Sequence, residues 1–345
     1  MSEQLGIAVI GSGYWGGNYV RLFTELPDTR VVAVCDQLTE NLKRIDARFP
    51  GLKLTTNTDD LLQMDDIDAV VISTNATSHY AIAQRFIRAR KPVLLEKPMT
   101  ISVRDAEALV ELAEDSGTVL MVGHIYLYNT AIREVKTYIE CGAIGRLYYL
   151  YAQRTNLGPI RDDVNALWDL APHDIAVFNY LVGASPVWVS AVGHRVLDSC
   201  EDVGFIVLGY ANNIIGQIHV SWVDPDKVRQ IVVVGSEMRI LFNDLNPQEP
   251  VRIFEKGVQV RPDIPAAYDQ DRFSIRNGNI VSPNIKLTEP LRAQGMHFVD
   301  CVRNGTRPLS DGRNGLEVVR VMEAIDHSIR QRGAPARLTG EMAYG

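Results

Sequence analysis

Over the first third of the chain, short runs that are apolar at every position alternate with stretches in which apolar side chains recur every three or four residues. The runs IAVI (7–10), VVAVC (31–35), AVVIS (69–73), PVLLE (92–96) and TVLMVG (118–123) predict strands covered on both faces. Helices are predicted near 16–26, 38–48, 78–90 and 103–116. The last is bounded by chemistry as well as by period, with Ser102 placed to cap its start and Gly117 to end it. Strand and helix repeated in this way over short links build a parallel, doubly wound sheet.

Beyond about residue 125 the texture changes. One helix is predicted over 129–141 and another over roughly 170–182. Strand-like runs then follow at 186–196, 203–210, 213–222, 228–234 and 238–242 with no long helix between them, which predicts a largely antiparallel sheet. A loop-rich stretch at 243–288 leads to two closing helices, 289–303 and 313–331. The chain therefore divides into an α/β domain over 1–125 and an α+β domain over 126–345, a length that suits two domains.

Composition narrows the partners. A formal net charge of -7 gives no general attraction to nucleic acid or to an anionic membrane surface. The opening MSEQLGIAVIGSG has no basic start and its apolar stretch is broken by glycines, so it predicts neither a secretion signal nor a spanning segment. Cys35, Cys141, Cys200 and Cys301 are scattered, without CxxC spacing or a nearby His pair. That pattern predicts no metal site and no disulfide framework, and it fits a reducing cytoplasm.

Three segments carry candidate chemistry. In IAVIGSGYWGGN, Gly11, Gly13 and Gly16 form GxGxxG directly after the first strand and at the opening of a helix. Glycines there permit a tight turn, close approach of backbone to a diphosphate, and close helix–strand packing. Asp36 ends the second strand, 20 residues past Gly16, where a carboxylate accepts hydrogen bonds from ribose hydroxyls and repels a 2′-phosphate. With Gln37 next and no Arg, the expectation is NAD rather than NADP. In LLEKPM (94–99), Glu96 and Lys97 follow an apolar strand at once, at the sheet edge where open parallel sheets bind ligands. Pro98 suggests a fixed backbone there, compatible with a cis bond. A lysine at a strand end is also an ordinary solvated residue.

The third segment is LWDLAPHDIAVF (167–178). If a helix starts near Leu170, Asp169 sits at its cap, Pro172 in its first turn, and His173 about one turn beyond Asp169 on the same side. The positive helix end then keeps His173 neutral and able to take a proton. The bland alternative is a capping Asp and a hydrogen-bonded core His.

Taken together, the GxGxxG with its Asp, the EKP, the DxxxH and the closing EPLRAQGMHFVDCVRNGTRPLSDGRNGLEVVRVMEAI resemble the Gfo/Idh/MocA oxidoreductase family. The resemblance spans nearly the whole chain. It implies an N-terminal Rossmann domain that binds NAD and a C-terminal domain with a large, mostly antiparallel, open-faced sheet for substrate and oligomer contacts. It also implies that Lys97, Asp169 and His173 are catalytic. Gly11, Gly13, Tyr14, Trp15, Gly16, Asp36, Thr74, Asn75, His79, Glu96 and Lys97 would then line the cofactor. The chain departs from the family in STNATSHY, where Asn75 follows Thr74 in place of the usual proline and His79 is retained.

The segment YAQRTNLGPIRDDVNALWDLAPHDI further resembles members that oxidise the 3-hydroxyl of a nucleotide sugar, such as UDP-N-acetylglucosamine or its uronic acid, in amino-sugar and polysaccharide biosynthesis. Arg154, Asn156, Arg161 and Asn165, on a Gly-Pro loop predicted over the open sheet face, are its candidate substrate residues, with Lys286 and Arg292 as further basic ones. The alternatives are a dehydrogenase of a free polyol or sugar such as an inositol, a keto-sugar reductase, and a non-catalytic NAD-binding regulator. A homodimer or homotetramer is expected through the exposed sheet face, where Ile215, Ile218, Val220 and Trp222 alternate.

Overall fold

The computed structural model describes residues 4–161, 163–197, 200–260 and 273–338. The chain forms two compact units, one built from residues up to Tyr128 plus Glu289–Glu323, the other from Asn129–Thr288 plus the residues from Ala324 onward. This differs from a division into 1–125 and 126–345, because a late segment returns to the first unit.

The first unit is a six-stranded parallel sheet of β1 (Leu5–Ile10), β2 (Thr29–Cys35), β3 (Lys53–Thr55), β4 (Ala69–Ile72), β5 (Val93–Leu95) and β6 (Leu120–Val122), in the order β3-β2-β1-β4-β5-β6. Every residue of β4, β5 and β6 is buried, as runs without a polar position require. The helices are α1 (Tyr14–Glu25), α2 (Thr39–Arg48), α3 (Thr58–Leu62), α4 (Ala76–Arg88) and α5 (Val103–Ser116). Ser102 caps α5 by accepting from the Asp105 N–H, and Gly117 ends it in the left-handed conformation, φ 65°. The returning helix Pro290–Asn304 packs on α1. Gly295 makes that approach possible, since a Cβ there would lie 2.6 Å from Leu22 Cδ2, and Phe298 meets Phe23 edge-on at 6.5 Å.

The second unit carries α6 (Thr130–Glu140), α7 (Ala166–Val182) and strands β7 (Leu147–Leu157), β8 (Trp188–His194), β9 (Val203–Gly209), β10 (Ile215–Ser221), β11 (Val223–Gly235), β12 (Arg239–Asn243), β13 (Val251–Phe254), β14 (Gly257–Val260), β15 (Phe273–Arg276), β16 (Ile280–Val281) and β17 (Ala336–Arg337). Nine of these form one sheet, β16-β13-β12-β11-β7-β10-β9-β8-β17, antiparallel except between β10 and β7; β14 and β15 pair separately. The long, central β7 lies where the sequence analysis names no strand, and its last residues fall on the predicted Gly-Pro loop. Its buried positions include Ala152 and Arg154, and its tyrosines do not alternate with polar residues, so the period-2 signal is broken.

Helix α7 covers one sheet face, and two strand glycines make room for it. A Cβ at Gly204 would meet Leu167 at 2.6 Å, and one at Gly216 would meet Phe178 at 2.8 Å. Ile218, Val220 and Trp222 are fully buried, whereas Tyr149, Phe205, Ile215 and Val192 are exposed. The fold is thus α/β overall, a doubly wound parallel sheet followed by a mixed, mostly antiparallel one.

Candidate active site

At the carboxyl edge of the first sheet, the turn after β1 is built from glycine for three separate reasons. Gly11 has φ +85°, and a Cβ on it would lie 2.8 Å from the backbone of Ser73 and Thr74. A Cβ on Gly16 would lie 1.9 Å from the Gly11 carbonyl oxygen, so the third glycine sets the helix–strand contact. Gly13 has nothing within 4 Å of its Cβ position and sits at the N-terminus of α1. That helix end has no side-chain cap and no acidic residue in its first turn. Its N–H groups and positive dipole end are therefore not already countered by a side chain. Tyr14 and Trp15 stand exposed beside it, edge-to-face at 5.6 Å.

Asp36 follows β2. Its Oδ2 accepts from the Ser12 N–H (2.6 Å), the Ser12 hydroxyl (2.9 Å) and Asn41 Nδ2 (3.1 Å), and its Oδ1 accepts from the Leu38 N–H (2.8 Å). Burial raises its pKa, but these donors outweigh burial and hold the carboxyl below its ordinary value. With one donor on Oδ1, an ionised carboxylate keeps acceptor capacity for ribose hydroxyls. The open glycine turn, the uncapped helix start and this carboxylate fit the diphosphate and ribose of NAD.

The neighbouring edge is tied together by buried side chains. Glu96 is buried; its Oε1 accepts from the Tyr19 hydroxyl (2.6 Å) and its Oε2 from the Lys97 N–H (3.0 Å). Burial and then the Glu96 charge hold the Tyr19 phenol well above its usual range. His79 is buried with Nδ1 2.9 Å from the Pro98 carbonyl and Nε2 3.1 Å from the Thr74 carbonyl, so it joins two loops. Thr74 accepts from the Ser78 hydroxyl (2.8 Å), and Asn75 is the exposed cap residue of α4. Lys97 is half-buried, and the Lys97–Pro98 bond is cis.

One residue here escapes the sequence reading. His124 follows β6 as Lys97 follows β5, and Leu95 and Val122 are paired in the sheet. It is 1% exposed, and neither ring nitrogen has a hydrogen-bond partner among the described residues. Burial, reinforced by the Lys97 cation, pushes its pKa down to about 3. The available signal is positional: GH closes an apolar strand just as EK closes the preceding one.

In the second unit, α7 begins at Ala166, not near Leu170. Asn165 is the cap, its Oδ1 accepting from the Trp168 N–H at 3.0 Å, while its Nδ2 donates to Glu201. Asn caps as well as Asp does, and the apolar residues after it extend the helix by four positions. Pro172 therefore lies inside the helix, and His173 is too far along it for the dipole to matter strongly. Asp169 and His173 remain one turn apart on one face.

Asp169 is held at both oxygens, Oδ1 by Arg161 Nη1 at 3.0 Å and Oδ2 by Trp222 Nε1 at 3.3 Å. Arg161 also donates to Asp163 from Nε (2.9 Å) and Nη2 (2.7 Å), and the Asp163 hydrogen bonds lead the causes that raise its pKa. Arg154, read from sequence as a substrate residue on a loop, is instead buried in β7 and forks onto Asp174 at 2.9 and 2.8 Å. Asn156 donates to the Gly158 carbonyl. Lys286 is exposed in the second unit, and Arg292 is half-exposed on the returning helix of the first.

Comparison with known proteins gives this geometry its context. Residues 5–124 match "Oxidoreductase family, NAD-binding Rossmann fold", and residues 132–241 match "GFO/IDH/MocA C-terminal domain". The chain belongs to the Gfo/Idh/MocA oxidoreductase family. As a family member it is an oxidoreductase with an NAD-binding Rossmann domain.

It is 27% identical over 362 residues to a scyllo-inositol 2-dehydrogenase (NAD(+)) of Bacillus subtilis, spanning 100% of this chain and 99% of that one. It is 27% identical over 265 residues to a UDP-N-acetylglucosamine 3-dehydrogenase of Acidithiobacillus ferrooxidans, spanning 76% and 80%. The solved structure of a UDP-N-acetylglucosamine 3-dehydrogenase from Acidithiobacillus ferrooxidans shares the fold, with TM-score 0.81, 24% identity, and coverage of 95% of this chain and 98% of that one. No helix among the described residues is long and apolar enough to cross a membrane.

Proposed function

We propose that the protein is an NAD-dependent dehydrogenase that oxidises a secondary hydroxyl of a nucleotide sugar, the 3-hydroxyl, to a ketone. The observation that carries the redox reading is the pairing of a fixed Asp169 carboxylate with His173 one helical turn on, in a chain that also has Lys97 at the end of β5. Gly11, Gly13, Tyr14, Trp15, Gly16, Asp36, Thr74 and Asn75 would hold the dinucleotide, with Glu96 and His79 fixing the backbone behind them.

NAD supplies the hydride acceptor when bound. His173 takes the proton from the hydroxyl as the carbinol C–H bond breaks, so the alcohol loses a hydride and a proton and becomes a ketone. Lys97 donates a hydrogen bond to the same oxygen and stabilises its developing negative charge. Asp169 orients the imidazole or the substrate hydroxyl. Asn156 is suited to a sugar hydroxyl, and Lys286 and Arg292 to a diphosphate. The likeness to a UDP-N-acetylglucosamine 3-dehydrogenase and the LWDLAPHDI segment support the nucleotide-sugar reading.

A second reading, oxidation of a free polyol, is favoured by one specific observation. Arg154 is committed to Asp174, and Arg161 to Asp163 and Asp169, which leaves less positive charge for a diphosphate. The full-length likeness to a scyllo-inositol 2-dehydrogenase supports it too. Absorbance at 340 nm with NAD and a panel of UDP-N-acetylglucosamine, its uronic acid, dTDP-sugars, myo-inositol and free hexoses separates the readings. Turnover restricted to nucleotide sugars is expected; turnover restricted to myo-inositol selects the second reading. NAD binding without turnover of any sugar or of its keto product with NADH leaves a non-catalytic regulator. We also propose a cytoplasmic homodimer or homotetramer formed through the exposed face of Val192, Phe205 and Ile215, which a mass measurement in solution tests.

A further inference from the structure

We propose that Arg161 and Trp222 are positioning residues that fix the Asp169 carboxylate, and that Arg161 is not an anchor for a substrate phosphate. The inference rests on the proposed role of Asp169 beside His173, and it changes what the arginine of that segment is for.

Two donors reach different oxygens of Asp169 from different elements, Arg161 from the stretch before α7 and Trp222 from the junction of β10 and β11. Donors from two directions fix both the position and the plane of a carboxylate. Each donor is itself held. Trp222 is fully buried, its N–H donates to the Asp202 carbonyl at 2.9 Å, and its carbonyl accepts from the Gly158 N–H at 2.9 Å. Trp222 thereby grips Asp169 through its indole and the Arg161 stretch through its backbone. Arg161 is locked from behind by the two-pronged contact with Asp163.

Charge argues the same way. One guanidinium faces two carboxylates, so the cluster of Arg161, Asp163 and Asp169 is net negative, and a phosphate would have to displace one of them. The side chains are between 17% and 33% exposed, so the cluster is screened less than a surface pair. Within its unit Asp169 meets Arg161 before α7 and the neutral Trp222 donor, Asp163 binds the same guanidinium, and His173 follows one turn on along α7.

The test is carboxyl NMR on full-length protein labelled with 13C at aspartate, with the Asp169 signal identified by Asp169→Asn. Removing a neighbouring cation raises a carboxyl pKa, so Arg161→Gln should shift the Asp169 titration upward by about 1 unit or more. Arg161→Lys should restore part of that shift, and Trp222→Phe should raise it by a smaller amount. An Asp169 titration unchanged in Arg161→Gln overturns the proposal, and Arg161→Lys decides it if the glutamine variant does not fold. In turnover of whichever sugar the protein oxidises, Arg161→Gln should lower kcat. A loss confined to the KM of the UDP-sugar would make Arg161 a phosphate anchor. The titration needs neither NAD nor sugar, so it decides this proposal even if the dehydrogenase reading fails.

Discussion

Asp36 in the first unit and Asp169 in the second are both carboxylates that the protein holds still, but they are held differently. Asp36 receives four hydrogen bonds from neutral donors, two of them backbone N–H groups. The donors to Asp169 include a cation and a buried indole. Backbone donors persist through side-chain substitution, so the Asp36 geometry is part of the fold. The Asp169 geometry rests on side chains, Arg161 and Trp222 among them. If Asp36 holds the ribose and Asp169 serves the substrate, as proposed, the contrast has a reason: a ribose presents the same hydroxyls to every enzyme that binds it, whereas a substrate site must be able to vary.

Removing the proposed acid–base groups should have the largest effect. His173→Ala and Lys97→Ala are each expected to lower kcat by roughly 10²–10⁴-fold while NAD still binds, as seen by quenching of protein fluorescence. Near-normal turnover in either variant would remove the acid–base assignment. Arg154→Met asks whether the other arginine of this region is structural. It leaves Asp174 buried and unpaired, and should cost about 3–5 kcal/mol in urea unfolding. Asp36→Asn removes a charge but few neighbours, and should weaken NAD by about 10–100-fold, the worth of hydrogen bonds to a charged group. Unchanged NAD affinity would show that the ribose lies elsewhere.

A last effect is a matter of pH. His79 has both ring nitrogens against carbonyls, whereas His124, on the same sheet edge, has neither partnered among the described residues. The folded state holds the His124 pKa near 3, below its ordinary 6.5. Its neutral form is therefore favoured by folding above pH 6.5, and that advantage is lost as pH falls from 6.5 towards 3, at about 1.4 kcal/mol per pH unit. His124→Leu should remove this part of the acid sensitivity. The check is the difference in melting temperature between wild type and variant at pH 7 and pH 5; a constant difference would exclude the effect.

What sequence reveals about this chain depends on how far apart the partners lie. The first sheet is readable because each strand declares itself by an unbroken apolar run, and the GxGxxG–Asp36 spacing is local to one strand–helix–strand unit. Short elements such as β3 and α3 carry too few residues to show a period. Strand β7 is hidden because Arg154 occupies a buried position that reads as polar until Asp174 is known to face it. The start of α7 shifts because Asn165 and Asp169 are both good caps and only packing chooses between them. The function of Arg161 is unreadable in principle from its segment. Trp222 lies 53 residues beyond Asp169, and only the folded sheet brings its indole to the same carboxylate.

The helix Pro290–Asn304 returns to the first unit and lies on Leu22 and Phe23. That return sets an order of events during synthesis. The strands of the cofactor unit leave the ribosome first, yet the surface of α1 stays uncovered until the chain has grown past residue 304. Nearly the whole second unit emerges in the interval, so the part of the protein made earliest is among the last to be finished.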